Sequence, residues 1–396
     1  MRLRRVLTGS LLCLLGGYPT AWAHHRQTPP VVRMSPAGED SVDFDLPRVP
    51  GFDGGLALLA PSGSDEQLVL VRLYPIASTV VLEATGDNRN PAVGLNGGAV
   101  TWDSDTDPLG TGASGRQIYY HDGALLTQLT HDASGTSANP AISGSGQWVA
   151  FESAGDLAGT GSSGVTQIFL AQVATGTVVQ VTSGAGPSTN PALDRRAKVL
   201  AYQSTTDPVT GEDTGLAQLW VADLRAGTRR RVTSGLGPSG NPTIDIDGKL
   251  IAFESRADLA GTGGDTGVPQ VFVFSPGTGT FAEITADPGG CTSPSVHKFR
   301  RDFRIAYVCG GEAYYTLLRA NTRWRVQADV PGSSTTRIVA GFGPYFVLLR
   351  TTADLVDGTG TTAGHQVYLV NLFKRAAEPV GGSVTWFPRQ GFPPLR

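Results

Sequence analysis

The sequence predicts an all-β fold: a single β-propeller of seven blades, each of four antiparallel strands, with six blades as the alternative because the first copy is poorly formed. Three observations lead there. Asn-Pro recurs at Asn90, Asn139, Asn190 and Asn241, and a degenerate Ser293-Pro294 and then Arg337 continue the series at intervals of about 44 to about 52 residues. A second pattern recurs as GAVTWDS (98–104), QWVAFES (147–153), KVLAYQS (198–204), KLIAFES (249–255), FRIAYVC (303–309) and YFVLLRT (345–351), after a weaker GLALLA (55–60). A third recurs as QLVLVRL, RQIYYHD, TQIFLAQ, AQLWVAD, PQVFVFS, EAYYTLL and HQVYLVN.

The unit from Asn139 to Gly184 shows why each piece is a strand. PAIS, QWVAFES, QIFLAQ and VVQVT are short runs rich in Val, Ile, Phe or Trp, and each stops at Gly, Ser, Asn or Asp. Branched and aromatic side chains favour extended backbone, and the stopping residues favour turns. So small a sheet cannot bury both faces alone, so copies must pack against copies. The units fall at 41–89, 90–138, 139–189, 190–240, 241–292, 293–336 and 337–382, and a tail strand, Ser383 to Phe387, is expected to add to a sheet at ring closure. Helix-period stripes are absent, and 52 glycines with 16% charged residues suit a protein of tight turns.

Before the repeats, Arg2, Arg4 and Arg5 precede an apolar run from Val6 to Gly17 and the small-residue site Ala21-Trp22-Ala23. That is the pattern of a cleaved secretory signal. The expected layout is therefore a signal over 1–23, a flexible lead-in over 24–40, the propeller over 41–387 and a tail over 388–396. A formal charge of −3, more negative without the leader arginines, argues against nucleic acid or an anionic membrane as the main partner. No later run is apolar enough to span a membrane. The expected product is a monomer, periplasmic or secreted. Cys291 and Cys309 remain after the leader and lie symmetrically about Arg300 in a hairpin turn, which sets them opposite each other. An exported chain permits the disulfide that this register predicts.

Unit for unit, the residues resemble the TolB-type, WD40-like (PD40) propeller repeats. The matching pieces are Asn139-Pro140, Ser143 to Gly146, Trp148 to Ser153, Asp156-Leu157, Gln167 to Leu170 and Ala174 to Gly176, and Asp245 to Gly248 matches the family's strand turn. The resemblance runs from about residue 55 to about residue 380 and implies the fold, not a function. The α/β domain that TolB carries ahead of its propeller has no counterpart here. No G-x-S-x-G occurs, so the nucleophile elbow of hydrolase relatives is absent.

Three sets of positions could carry chemistry. Asn90, Asn139, Asn190 and Asn241 start the strands nearest the axis, where they form either a partial ring of amides open to a ligand or turns bonded to local backbone. Asp107, Asp156, Asp207, Asp258 and Asp354 open Gly/Thr-rich loops. They could bind a partner or cap their loops, and one carboxylate per loop is too few for tight calcium binding. Gln67, Gln117, Gln167, Gln218, Gln270 and Gln366 start the third strands and read as clamps on buried backbone. The histidines have no metal-ligand spacing, and no metal or cofactor is expected. In the sixth unit the loop shrinks to Cys309-Gly310-Gly311, which would notch the loop face, and the basic turn from His297 to Arg304 offers a docking patch for an acidic partner.

The resulting expectation is an exported, non-catalytic scaffold that binds an envelope or extracellular protein, or a small ligand, on the face holding the Asn and Asp positions. The alternative is an enzyme acting on carbohydrate or peptide from a site in the central channel. The innermost strands, carrying mainly Ala, Ile, Val and Ser, disfavour it.

Overall fold

A computed structural model describes residues 31–34, 43–45, 55–62, 65–73, 76–84, 86–326 apart from short loop stretches, 332–340, 346–356, 361–372, 378–380 and 385–388. The stretch read as a secretory signal, and with it Cys13, lies outside the described residues, as do Arg300 and Arg301.

Among the described residues the strands pair into seven antiparallel sheets, five of four strands and two of five. The third sheet is typical: Ala138–Ile142, Trp148–Ser153, Gln167–Gln172 and Thr177–Gln180 follow one another in space as in sequence. The inner strands of successive sheets surround one channel, whose lining includes Asp45, Asn90, Asn139, Pro191, Pro242, Ser293 and Arg337. The fold is a β-propeller, as the repeats predict.

The core is a set of slabs between consecutive sheets rather than a single centre. Between the fourth and fifth sheets, Leu219, Val221 and Val232 pack with Ile244, Phe253, Phe272 and Phe281. A stacked aromatic pair between second and third strands recurs: Trp102–Tyr119 (5.9 Å), Phe151–Phe169 (5.8 Å), Tyr202–Trp220 (6.2 Å), Phe253–Phe272 (5.9 Å) and Tyr307–Tyr314 (6.1 Å). These rings place large apolar area where one sheet meets the next, which is why the units cannot be stable singly.

The chain ends depart from expectation. Val31–Arg33, inside the stretch read as a flexible lead-in, is a strand paired with Thr361–Asn371, and it supplies the outer strand of the seventh sheet. A three-residue strand flanked by prolines carries too little pattern to read from sequence, and the open edge of a neighbouring sheet orders it. The tail strand is Thr385–Pro388, and it pairs with Thr280–Glu283 of the fifth sheet rather than at ring closure. A further strand, Glu378–Val380, covers Thr322–Arg325 of the sixth. Across the remaining gap, the Arg337 guanidinium sits 5.1 Å from the Phe44 ring, joining the seventh sheet to the first.

Candidate functional site at the channel rim

The repeated Asn-Pro is a bulge. Asn90, Asn139, Asn190, Asn241 and Ser293 all adopt φ between 48° and 54°, and each inner strand slips register against its neighbour at that point. Asparagine tolerates this left-handed conformation better than other side chains except glycine, and the following Pro cannot donate to the ladder it has left. The bulge turns the amide away from its own strand.

The amides then bond across the ring. Asn139 Nδ2 donates to Asn190 Oδ1 (2.8 Å), and Asn190 Nδ2 donates to Asn241 Oδ1 (2.8 Å). The local-backbone turn is therefore replaced by a partial amide ring. Behind it stands a layer that reading the inner strands alone misses. Asp103 Oδ1 accepts from Asn90 Nδ2 (2.8 Å) in its own sheet and from Asn139 N (3.0 Å) in the next. Glu152 Oε1 accepts from Asn139 Nδ2 and Asn190 N, both at 2.6 Å. Gln203 Oε1 accepts from Asn241 N (2.9 Å), and Glu254 accepts from Ser293 N (2.7 Å) and Asn241 Nδ2 (3.1 Å). Each acceptor ties one sheet to its successor. The signal was present in VTWDS, VAFES, LAYQS and IAFES, where one acid or amide interrupts an apolar strand just before the serine.

In the sixth and seventh sheets Val308 and Arg350 take this slot, paired with Thr292 and Arg337. The acceptor thus gives way to a valine in the sixth sheet and to a pair of cations in the seventh. Burial, reinforced by Arg350, pushes the Arg337 guanidinium down to about 10. The channel has room beside these groups: cavities of about 300 Å³ and about 340 Å³ share Asp45, Asn139, Pro191, Pro242 and Arg337 in their walls.

Burial, the largest influence, holds the carboxyls of Asp103, Glu152 and Glu254 above their ordinary range, although their hydrogen-bond donors pull the other way. A carboxyl raised on folding binds more protons folded than unfolded, so the stability it contributes is full below the unfolded value and falls as pH rises through the folded one. Glu152→Gln keeps an oxygen for both donors, as Gln203 does naturally. Urea unfolding should show E152Q gaining on the original chain as pH rises above the ordinary carboxylate range of about 4. A difference that stays constant as pH rises would refute the assignment.

The five aspartates open loops on the same face as the asparagines, and four of them accept from the backbone of their own loops. Asp107 accepts from Thr111 N (2.9 Å) and Gly112 N (2.7 Å), and Asp156 from Thr160 N (2.7 Å) and Gly161 N (2.9 Å). Asp207 accepts from Val209 N (2.8 Å) and Thr210 N (3.0 Å), and Asp354 from Val356 N (3.1 Å). The backbone of Thr111 and of Thr210 leads in holding the Asp107 and Asp207 carboxyls below their usual range. Asp258 opens the corresponding loop of the fifth sheet, its N–H donating to Gly264 O at 2.8 Å. These bonds shape the loops that any partner on this face would meet.

Four of the six glutamines act as clamps, and the side chain of Gln67 lies outside the described residues. Gln167 Nε2 donates to the carbonyls of Gly184 (3.1 Å) and Gly186 (3.3 Å), while its Oε1 accepts from Thr182 Oγ1 (2.7 Å). Gln117, Gln218 and Gln270 repeat the arrangement on Asp132, Gly235 and Asp287, with Thr130, Thr233 and Thr285 as donors.

In the sixth sheet Cys291 and Cys309 are register partners joined by a disulfide, with Cα atoms 4.3 Å apart. Of the basic turn, Arg300 and Arg301 lie outside the described residues, and the described basic side chains are taken up by the fold. His297 and Arg304 are 1% and 3% exposed, Lys298 is ion-paired with Asp247 of the preceding sheet, and Arg304 lies 5.0 Å from the Tyr315 ring. Inter-sheet packing consumes these side chains, which sequence proximity alone groups as a surface cluster.

No family model matches the sequence, and no curated protein does. Solved structures do. A prolyl endopeptidase is similar at 12% identity, over 88% of this chain and 50% of that one, with a TM-score of 0.57. An oligogalacturonate lyase from Vibrio parahaemolyticus is similar at 10% identity, over 86% of this chain and 93% of that one, with a TM-score of 0.55. TolB from Acinetobacter baumannii is similar at 14% identity, over 96% of this chain and 89% of that one, with a TM-score of 0.40. The first two establish a shared propeller fold and, at such identities, nothing more.

Proposed function

We propose that this chain is an exported propeller that binds a protein partner on the face bearing Asn90, Asn139, Asn190 and Asn241 and the loops opened by Asp107, Asp156, Asp207, Asp258 and Asp354, without catalysis. The observation that carries this reading is where apolar surface is left exposed. Of six large hydrophobic side chains exposed among the described residues, Leu109, Val209, Leu236 and Val356 lie in loops on this face. Isolated exposed apolar residues need no explanation, but their concentration on one end of a rigid scaffold supports a docking surface. The disulfide supports export, to the periplasm or beyond it.

The channel-enzyme reading draws support from Glu254, whose carboxyl is raised by burial and which lines the channel cavity. Both of its oxygens, however, already accept hydrogen bonds that hold the rim. That commitment favours binding over acid–base chemistry.

The test uses these four exposed residues. A chain carrying L109S, V209S, L236S and V356S should unfold at the same urea concentration as the original. In crosslinked capture from an envelope extract, its yield of the dominant partner should fall about tenfold or more. Equal yields would place the docking surface elsewhere.

A further inference from the structure

A cavity of about 640 Å³, about twice the size of either channel cavity, opens between the third and fourth sheets. Its volume is within the range that holds a small organic molecule, about 300–1,000 Å³. The floor is the Tyr202–Trp220 pair, stacked 6.2 Å apart with 20° between planes. Val209, 90% exposed, stands in its lining. Opposite, the outer strand Thr228–Arg231 brings Arg229 and Arg231 to the groove, two residues apart and so on one face of the strand.

The equivalent outer strands of the third and fifth sheets read TVVQ and TFAE, whereas that of the sixth, TRWR, carries arginines at the same two positions. Arg229 donates from Nη1 to the Val181 carbonyl (2.7 Å), which braces it, and its other donors make no further bond among the described residues. The nearby carboxylate, Asp207, accepts from the amides of Val209 and Thr210 and also interacts electrostatically with Arg231. Within the wall, Trp220 is 8% exposed and its Nε1–H has no hydrogen-bond partner among the described residues. A buried donor left without an acceptor is uncommon in native folds and is met when an unseen group supplies one.

We propose that this groove is a binding site for a small organic anion of sugar size, bearing a carboxylate or phosphate that Arg229 and Arg231 hold. The ligand's less polar face lies toward the aromatic floor and Val209. A planar guanidinium fork suits both anions, and hydroxyls from Ser183 and Thr206 in the lining supply further polar partners. The groove shares Val209 and the Asp207 loop with the docking face proposed above, but it is argued from the cavity, the arginines and Trp220 rather than from that reading.

Calorimetric titration of the full chain with glucuronate, glucose 6-phosphate, inorganic phosphate and a hexaglutamate peptide tests it. Saturable binding of glucuronate, of glucose 6-phosphate or of both is expected, and which of them binds identifies the anion. Affinity should fall about tenfold or more in R229Q/R231Q and fall with added salt. Because arginine changes can disturb packing, Ser183→Trp gives a second reading: Ser183 is exposed, and the indole should block the groove while leaving the unfolding midpoint unchanged. No saturable binding of either sugar acid, or equal affinity in both variants, overturns the proposal. Binding of the peptide alone also overturns it, in favour of a groove for an acidic protein segment.

Discussion

Asp103→Ala is expected to destabilise the fold by about 3–5 kcal/mol, the range for breaking a buried ion pair on one side. Asp103 is fully buried, and it accepts from Arg116 Nη1 (2.6 Å), Asn90 Nδ2 and Asn139 N. Truncation leaves Arg116 beside Asp87 alone and strips two rim donors of their acceptor. Asp103→Asn, which keeps one oxygen, should lose less. Removing both partners in D103A/R116A should cost less than the sum of the single changes, because the stranded guanidinium is gone. Urea unfolding followed by tryptophan fluorescence reads all three. A loss below about 1 kcal/mol for D103A would mean that the acceptor layer does not hold the sheets together.

Gln167→Ala should cost about 2–4 kcal/mol, combining a cavity with stranded polar groups. The amide serves two glycine carbonyls and the Thr182 hydroxyl, and that hydroxyl in turn accepts from Ile168 N (2.8 Å). The loss therefore spreads along a chain of bonds from the strand into the connection to the next sheet. Gln167→Met separates the causes, since it refills the volume without restoring the bonds. Near-complete recovery by methionine would show that packing, not hydrogen bonding, is what the clamp supplies. Amide exchange should accelerate from Gly184 to Ser188 in both variants if the bonds matter.

The reach of an interaction along the chain decided what was legible beforehand. Strands could be read because branched and aromatic runs alternate with turn residues within a single unit. Gln167 could be read as a clamp because its partners, Thr182 and Gly184, lie 15 and 17 residues away in the same unit. Cys291 and Cys309 face each other across one hairpin, and Asp156 caps a loop five residues long. By contrast, Asn139 meets Asn190 across 51 residues, and Asp103 meets Asn139 across 36. One repeat displays only half of each such bond, so the rim was visible as a recurring residue and invisible as a network. Lys298 was misgrouped for the same reason, because its partner Asp247 is 51 residues upstream. The terminal strands differ: the tail strand could be read, but its partner sheet could not, and Val31–Arg33 does not repeat and completes an edge at the far end of the chain.

That last feature sets a timetable. Val31 pairs with Val370, so the seventh sheet needs the first described residues and nearly the last. A chain made from its N-terminus must keep Val31–Arg33 unpartnered until Thr361–Asn371 has been synthesised, which at about 5–20 residues per second takes tens of seconds. The first four sheets can form in order during that interval, while the fifth and sixth take their last strands, Thr385–Pro388 and Glu378–Val380, only after it, as the ring closes. Throughout the wait, the leading strand of one molecule and the late strand of another are compatible with each other. Crowded synthesis therefore favours exchange between copies, and the dimers so formed would contain every native pairing.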